Sequence, residues 1–206
     1  PRVQLLLLLG RLREAWIGPR PDRLYGEIGW EGDRARSLLL LAEVARRQAD
    51  AETCRRTLEA ATGWVLNSGS VEHLCLWHLV RSRAERDGGN YPAARRAADE
   101  GVHMARHCGL GLYHVLLLNA RAEILLRADA EAAELSAREA LGLASAAECR
   151  FLWGASEAGH LLGQALAGQW RHGEARAVYA ETLALRDRIG DPGSEQTRRL
   201  LERLPS

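Results

Sequence analysis

Residues 88–101 read GGNYPAARRAADEG, and this stretch decides the fold. Gly88, Gly89 and Asn90 interrupt one helix, and Tyr91-Pro92 opens the next, with proline at a first-turn position where its missing N–H costs nothing. Ala93, Ala94, Ala97, Ala98 and Gly101 then recur every three or four residues. A stripe of small side chains at helical spacing marks a surface where two helix axes approach closely, because a larger residue there would force them apart. The stretch is therefore a tight turn followed by a helix packed against its predecessor.

The pattern is repeated. ADAETCRRTLEAA (49–61), GNYPAARRAADEG (89–101), ADAEAAELSAREA (128–140) and GQWRHGEARAVYA (168–180) overlay in one frame. Each opens with Gly or Ala and ends with Ala or Gly at its thirteenth place, at a period of about 40 residues. Helices are expected at about 2–16, 33–48, 50–66, 70–87, 90–108, 112–127, 129–147, 151–167, then after GQWRHG (168–173) at 174–189, and at 194–204. Asp33, Asp50, Ser70, Asn90 and Asp129 stand as N-caps. The breakers GPRPD (18–22), NSGS (67–70) and GDPG (190–193) fall between the periodic segments. The reading is an all-α array of about four antiparallel helix hairpins over residues 33–190. A helix with an irregular linker (1–32) precedes it, and a capping helix (191–206) follows.

In this frame the chain resembles the tetratricopeptide repeat family. The resemblance rests on Gly89, Tyr91, Ala94 and Gly101 in the second copy and on Ala128, Ala130, Ala133 and Ala140 in the third. In the fourth it rests on Gly168, Trp170 and Ala180, with Gly173 in place of the inner alanine; in the first, Cys54 takes that place. No first helix carries a clean Trp-x-x-Leu-Gly-x-x-Tyr signature, and the period exceeds the family's usual length by one to two helical turns. Longer units of this kind are similar to the carboxyl-terminal arrays of bacterial signal-transducing NTPases and transcription activators. The resemblance implies a right-handed superhelix and a non-enzymatic recognition module, the sensor or scaffold part of a larger bacterial regulatory protein.

Composition excludes several other classes. Nearly half of the 206 residues are apolar, and all 28 basic residues are arginine against 27 acidic ones. Without lysine there is no phosphate-binding loop ending in Gly-Lys-Ser/Thr and no Schiff-base residue. A balanced charge lacks the clustered basic footprint of a nucleic-acid binder, and the array lacks the stacking aromatics of an RNA-binding repeat. Arg95 and Arg96 stand four residues before Asp99 and Glu100, the spacing of surface ion pairs. The apolar run Val3–Leu9 is far shorter than the roughly 20 residues that span a bilayer. Cys54, Cys75, Cys108 and Cys149 have no CxxC spacing, lie in expected helices and fit a reducing compartment, hence a cytoplasmic location. The chain opens on Pro1 and its one methionine is Met104, as expected of a piece of a longer protein.

No catalytic constellation is legible. His103 and His107 stand four apart beside Cys108, but a zinc site needs three or four ligands. His73, Cys75 and His78 in EHLCLWH do not share one helix face. CGLGLYH (108–114) lacks the third glycine and the preceding strand of a dinucleotide fingerprint. No cofactor and no metal are expected.

The candidates are polar residues inside otherwise apolar first helices, which line the concave face of a stacked array. They are His78, Arg81 and Glu85; His114, Asn119 and Glu123; and Glu157, His160 and Gln164, each set along one stripe. Mixed donors and acceptors suit a protein or peptide segment, or another domain of the parent chain, and suit neither nucleic acid nor membrane. Two alternatives stand beside this: a small-molecule pocket enclosed near His114, Asn119 and His160, and a homo-oligomerisation element. Trp64, Trp77, Trp153 and Trp170 are expected in the core, and Trp16 and Trp30 at an edge facing a neighbouring domain.

Overall fold

The computed structural model describes residues 31–205. The expected helix over 2–16, together with Trp16 and Trp30, lies outside them. Among the described residues the chain is all-helical: α1 (Glu31–Arg47), α2 (Ala51–Asn67), α3 (Val71–Asp87), α4 (Tyr91–His107), α5 (Gly111–Leu125), α6 (Ala130–Ser145), α7 (Leu152–Gly168), α8 (His172–Ile189) and α9 (Ser194–Arg203). They fall into two compact units divided after Cys108. In the first, α1 pairs with α2 and α3 with α4, and α3 packs on both α1 and α2. In the second, α5–α6 and α7–α8 are the hairpins; α7 also packs on α5 and α6, and α9 packs on α8.

Local chemistry sets the boundaries. The side chains of Asp50, Ser70, Asn90 and Asp129 accept from the backbone N–H three residues on, at 3.0, 3.3, 3.4 and 2.9 Å. Each such cap contributes about 1 kcal/mol. The expected cap position Asp33 falls inside α1, which starts two residues earlier at Glu31. Within the hairpins, Asn90 N–H donates to Glu85 O at 2.8 Å and Arg171 N–H to Leu166 O at 3.0 Å, the long closing bond of a Schellman turn. That geometry puts Gly89 at φ 80°, where glycine carries no steric penalty.

The small-residue frame holds in all four hairpins, but the fourth is displaced from its expected register. Counting from the residues at the N-caps, Cys54, Ala94, Ala133 and Ala175 are equivalent and all are buried. The next small position is Ala61, Gly101, Ala140 and Thr182. Thus Ala175, and not Gly173, is the inner small residue, and Ala180 is exposed. Trp170 is no core residue: it occupies the turn at φ 62° and is 82% exposed. Trp64 and Trp77 do pack against the core of the first unit, and Trp153 is half-buried.

Where the second helix carries a large residue, the first gives way. Tyr179 stands where Ala98 and Ala137 stand in the preceding hairpins, and it is 1% exposed. A β-carbon on Gly163 would lie 2.4 Å from its ring. Gly163→Ala is expected to lower stability by about 1–2 kcal/mol, overpacking outweighing the gain in helix propensity. Gly142→Ala, at an exposed position of α6 where the added carbon meets nothing within 4 Å, is expected to raise stability by up to about 1 kcal/mol. Urea midpoints that move in the same direction for both would refute this packing.

Candidate functional site

In the first unit the two first helices, α1 and α3, are tied by charge. Glu43 is buried on α1 and accepts from Arg46 and Arg47. Arg83 of α3 lies 3.5 Å from it, and Arg46 reaches Asp87 at the end of α3. Burial alone would raise the Glu43 carboxyl; the three guanidinium groups outweigh it and hold it at about 2.

The candidates on α3 interact within their own hairpin. His78 is buried, with Nδ1 3.6 Å from Glu100 of α4 and its ring edge-on to Trp77. Burial pushes it below the ordinary histidine range, Arg81 adds to that, and Glu100 opposes it. Arg81 holds its guanidinium 4.8 Å above the Trp77 ring. Glu85 accepts from Asn90 Nδ2 at 2.9 Å, across the Gly88-Gly89 turn. Arg81 and Glu85 stay half-buried and reach the surface.

In the second unit, His114 is buried on α5 with Nε2 3.6 Å from Glu139 of α6. Asn119, 2% exposed, donates from Nδ2 to Gly154 O at 3.0 Å and so joins first helix α5 to first helix α7. Glu123 and Gln164 are half-buried. Glu157 and His160 of α7 enter a polar cluster built by α8, α9 and the turn between them. Arg186 at its centre is 2% exposed and donates from one terminal nitrogen to Gly193 O and Thr197 Oγ1, at 2.8 and 2.7 Å. Its other terminal nitrogen lies 3.4 Å from Glu157 Oε2, and its Nε lies 3.4 Å from Asp191 Oδ2. Ser156 donates to the same Asp191 oxygen at 2.8 Å. His160 Nδ1 is 3.0 Å from Thr197 Oγ1. Thr197 Oγ1 thus accepts from Arg186 and lies within hydrogen-bond reach of both His160 Nδ1 and Gly193 O, the latter at 3.4 Å. Burial, reinforced by Arg186 and opposed by Asp191, lowers His160 to about 4.

Sequence spacing groups Glu157 and His160 correctly on one stripe of α7 but omits Arg186, Asp191, Ser156 and Thr197. One signal for them exists: Arg186 falls in TLALRDRIG (182–190), at a position whose helical neighbours Thr182 and Tyr179 face the core.

A cavity of about 480 Å³ lies between α2 and α3, lined by Cys54, Leu58, Ala84, Arg81, Glu85 and the turn residues Gly88 and Asn90, among others. Burial raises the Cys54 thiol, which keeps it protonated. The matching junction between α6 and α7 is bridged by side chains. Gln169 Nε2 donates to Glu134 Oε2 at 2.7 Å, and Arg171 donates to both Glu134 oxygens at 2.9 and 2.8 Å. Gln169 and Arg171 occupy the turn positions held by Gly88 and Asn90 in the second hairpin.

Other sequence candidates find plainer roles. His103 and His107 are exposed with stacked rings, and among the described residues no group of three His, Cys, Asp or Glu is placed to hold a metal ion. All four cysteines are free; Cys108 caps α4 and Cys149 sits in the loop before α7, so neither is helical. Arg95 and Asp99 form the expected surface pair at 3.7 Å. No described helix is long and apolar enough to cross a membrane.

No protein-family model matches the chain, and no curated protein matches it in sequence. Solved structures do match in shape. One is a signal transduction ATPase with numerous domains (STAND) protein with a tetratricopeptide repeat sensor, from Pyrococcus horikoshii, at TM-score 0.66 and 15% identity. That match covers 90% of this chain and 28% of the other, so the chain spans little more than a quarter of that protein's length. Another is BtubC (BKLC) from P. vanneervenii, at TM-score 0.72 and 16% identity, covering 94% of this chain and 77% of that one. What these likenesses and the helix order establish together is the fold, an all-α helical repeat.

Proposed function

We propose that the chain is a non-enzymatic recognition module of the tetratricopeptide type, the sensor or scaffold part of a larger bacterial regulatory protein in the cytoplasm. Residues 33–190 form its array and 191–206 its cap. Its partner is a protein or peptide segment, or another domain of the parent chain, bound on the face of the first helices. The observation that carries this reading is that first helices are held against one another by their own polar side chains, Glu43 with Arg83 in one unit and Asn119 with Gly154 in the other. Such ties make each pair of first helices a rigid support. On it Arg81 and Glu85 in the first unit, and Glu123, Glu157 and Gln164 in the second, present partly exposed polar groups. Beneath them His78, His114, Asn119 and His160 act as buried supports. The likeness to a structure that contains a tetratricopeptide repeat sensor supports the sensor role.

Panning the chain against a displayed library of random 12-residue peptides tests the reading. Recurrent sequences are expected, and a Glu157→Ala/Gln164→Ala variant, both on the exposed stripe of α7, is expected to bind those held by the second unit at least roughly tenfold more weakly, the usual effect of truncating central interface residues. A library that yields no recurrent sequence, or binding that the double variant leaves unchanged, would overturn it.

A further inference from the structure

The cavity between α2 and α3 lies apart from the buried cluster around Arg186; it shares Arg81 and Glu85 with the first-helix face, but its other wall is the second helix α2. Its apolar wall is Ala51, Cys54, Leu58 and Ala84, and its volume of about 480 Å³ falls in the range of small-molecule sites. Its charges are unevenly committed. Arg46 is taken by Glu43 and Asp87, and Arg55 by Glu52 and Glu59 on its own helix. Arg81 meets the Trp77 ring but no carboxylate among the described residues. From these facts we infer that the α2–α3 junction is a binding site for a small apolar molecule carrying one carboxylate or sulfonate, with Arg81 as the group that holds the anion.

The second unit shows why this junction is open. At α6–α7 the turn residues Gln169 and Arg171 reach Glu134 and bridge the equivalent junction. At α2–α3 the turn offers Gly88, with no side chain, and Asn90, whose amide is turned to Glu85. Arg55 stands where Glu134 stands, five residues after the cap, so the acceptor of the bridge is replaced by a cation. Each of the three bridging groups is thus missing or reversed. Glu85 and Asp87 in the lining oppose a polyanion, so a nucleotide or a phosphate ester does not fit, whereas a single negative charge opposite Arg81 does. The inference shares Arg81 with the peptide reading and is separated from it by the α2 wall, Ala51, Cys54 and Leu58, which the first-helix face does not include.

Two dyes of one shape test it on the full chain: 8-anilinonaphthalene-1-sulfonate and its neutral analogue N-phenyl-1-naphthylamine, titrated by fluorescence. One site per chain is expected for each, with the sulfonate bound roughly tenfold more tightly, the scale of one charge-assisted hydrogen bond. Arg81→Met is expected to bring the sulfonate down to the neutral dye and leave the neutral dye unchanged. Ala84→Trp, which fills the cavity, is expected to abolish both. Should that variant fold poorly, the graft Arg55→Glu/Gly88→Gln/Asn90→Arg, which copies the closed junction, is expected to do the same while the circular dichroism of the chain is preserved. Equal affinity for the two dyes, binding that survives the filled or grafted junction, or no binding at all would overturn the proposal. Peptide panning reads none of these outcomes, so either idea can fail alone.

Discussion

Arg186→Met is expected to destabilise the second unit by about 3–5 kcal/mol, the cost of removing one partner from a buried charged cluster. The side chain is 2% exposed and reaches α7, the turn before α9 and α9 itself through Glu157, Asp191, Gly193 and Thr197. Methionine replaces the stem but none of the donors. Asp191, only 12% exposed at its side chain, would keep Ser156 but be left without its cation. The carbonyl of Gly193 would lose its shortest donor in the same step and keep the longer one from the Thr197 backbone N–H, at 3.2 Å. Because α9 is tied down largely through this cluster and through Leu200, Leu201 and Leu204, it should detach first. Limited proteolysis would then cut between residues 190 and 205 before the rest of the unit. Exposed Arg188→Met in the same helix is the control, with a change within about 0.5 kcal/mol. Equal urea midpoints for the two variants would show that Arg186 does not organise the cluster.

The second large effect is on pH. His160 titrates near 4 in the folded chain against an ordinary value of 6.5, so between these values the unfolded state binds more protons. Stability is therefore complete above about pH 6.5 and declines as the pH falls toward 4. Between pH 6.5 and about pH 5, above the range where carboxylates titrate, the expected decrease is about 1.5 kcal/mol. His160→Gln, which keeps a polar group near Thr197 but cannot take up a proton, should remove most of that slope. His78 is also lowered by burial and adds a part that remains in the variant. Denaturation curves that coincide at pH 6.5 and 5 in the parent chain, or a slope that His160→Gln leaves intact, would contradict a neutral buried imidazole.

Both effects arise from residues whose partners are remote in sequence, and this marks the limit of legibility. The stripe Glu157, His160, Gln164 is correct as a stripe, because residues three and four apart share a helix face whatever the rest of the chain does. Its cover is not readable from spacing. His160 meets Thr197, 37 residues on, and Asn119 meets Gly154, 35 residues on. The fourth repeat fails for a related reason. Trp170 mimics the Tyr91 slot in a one-dimensional overlay, yet the turn there closes two residues later, and Ala175 takes the inner position.

What the amino-acid sequence determines by itself in this protein is the succession of helices, their caps, the period and the class of fold. These depend on interactions within a few residues: a cap bond spans three positions, a Schellman bond five, and the small-residue stripe one helix. Tertiary structure alone decides which polar side chains become buried supports and which face solvent, since that depends on what packs over them. It alone also reveals the open junction beside Cys54 and Leu58. Gly88 and Asn90 read in sequence as ordinary turn residues, and only beside Gln169 and Arg171, which bridge the corresponding junction to Glu134, does their smallness take on meaning.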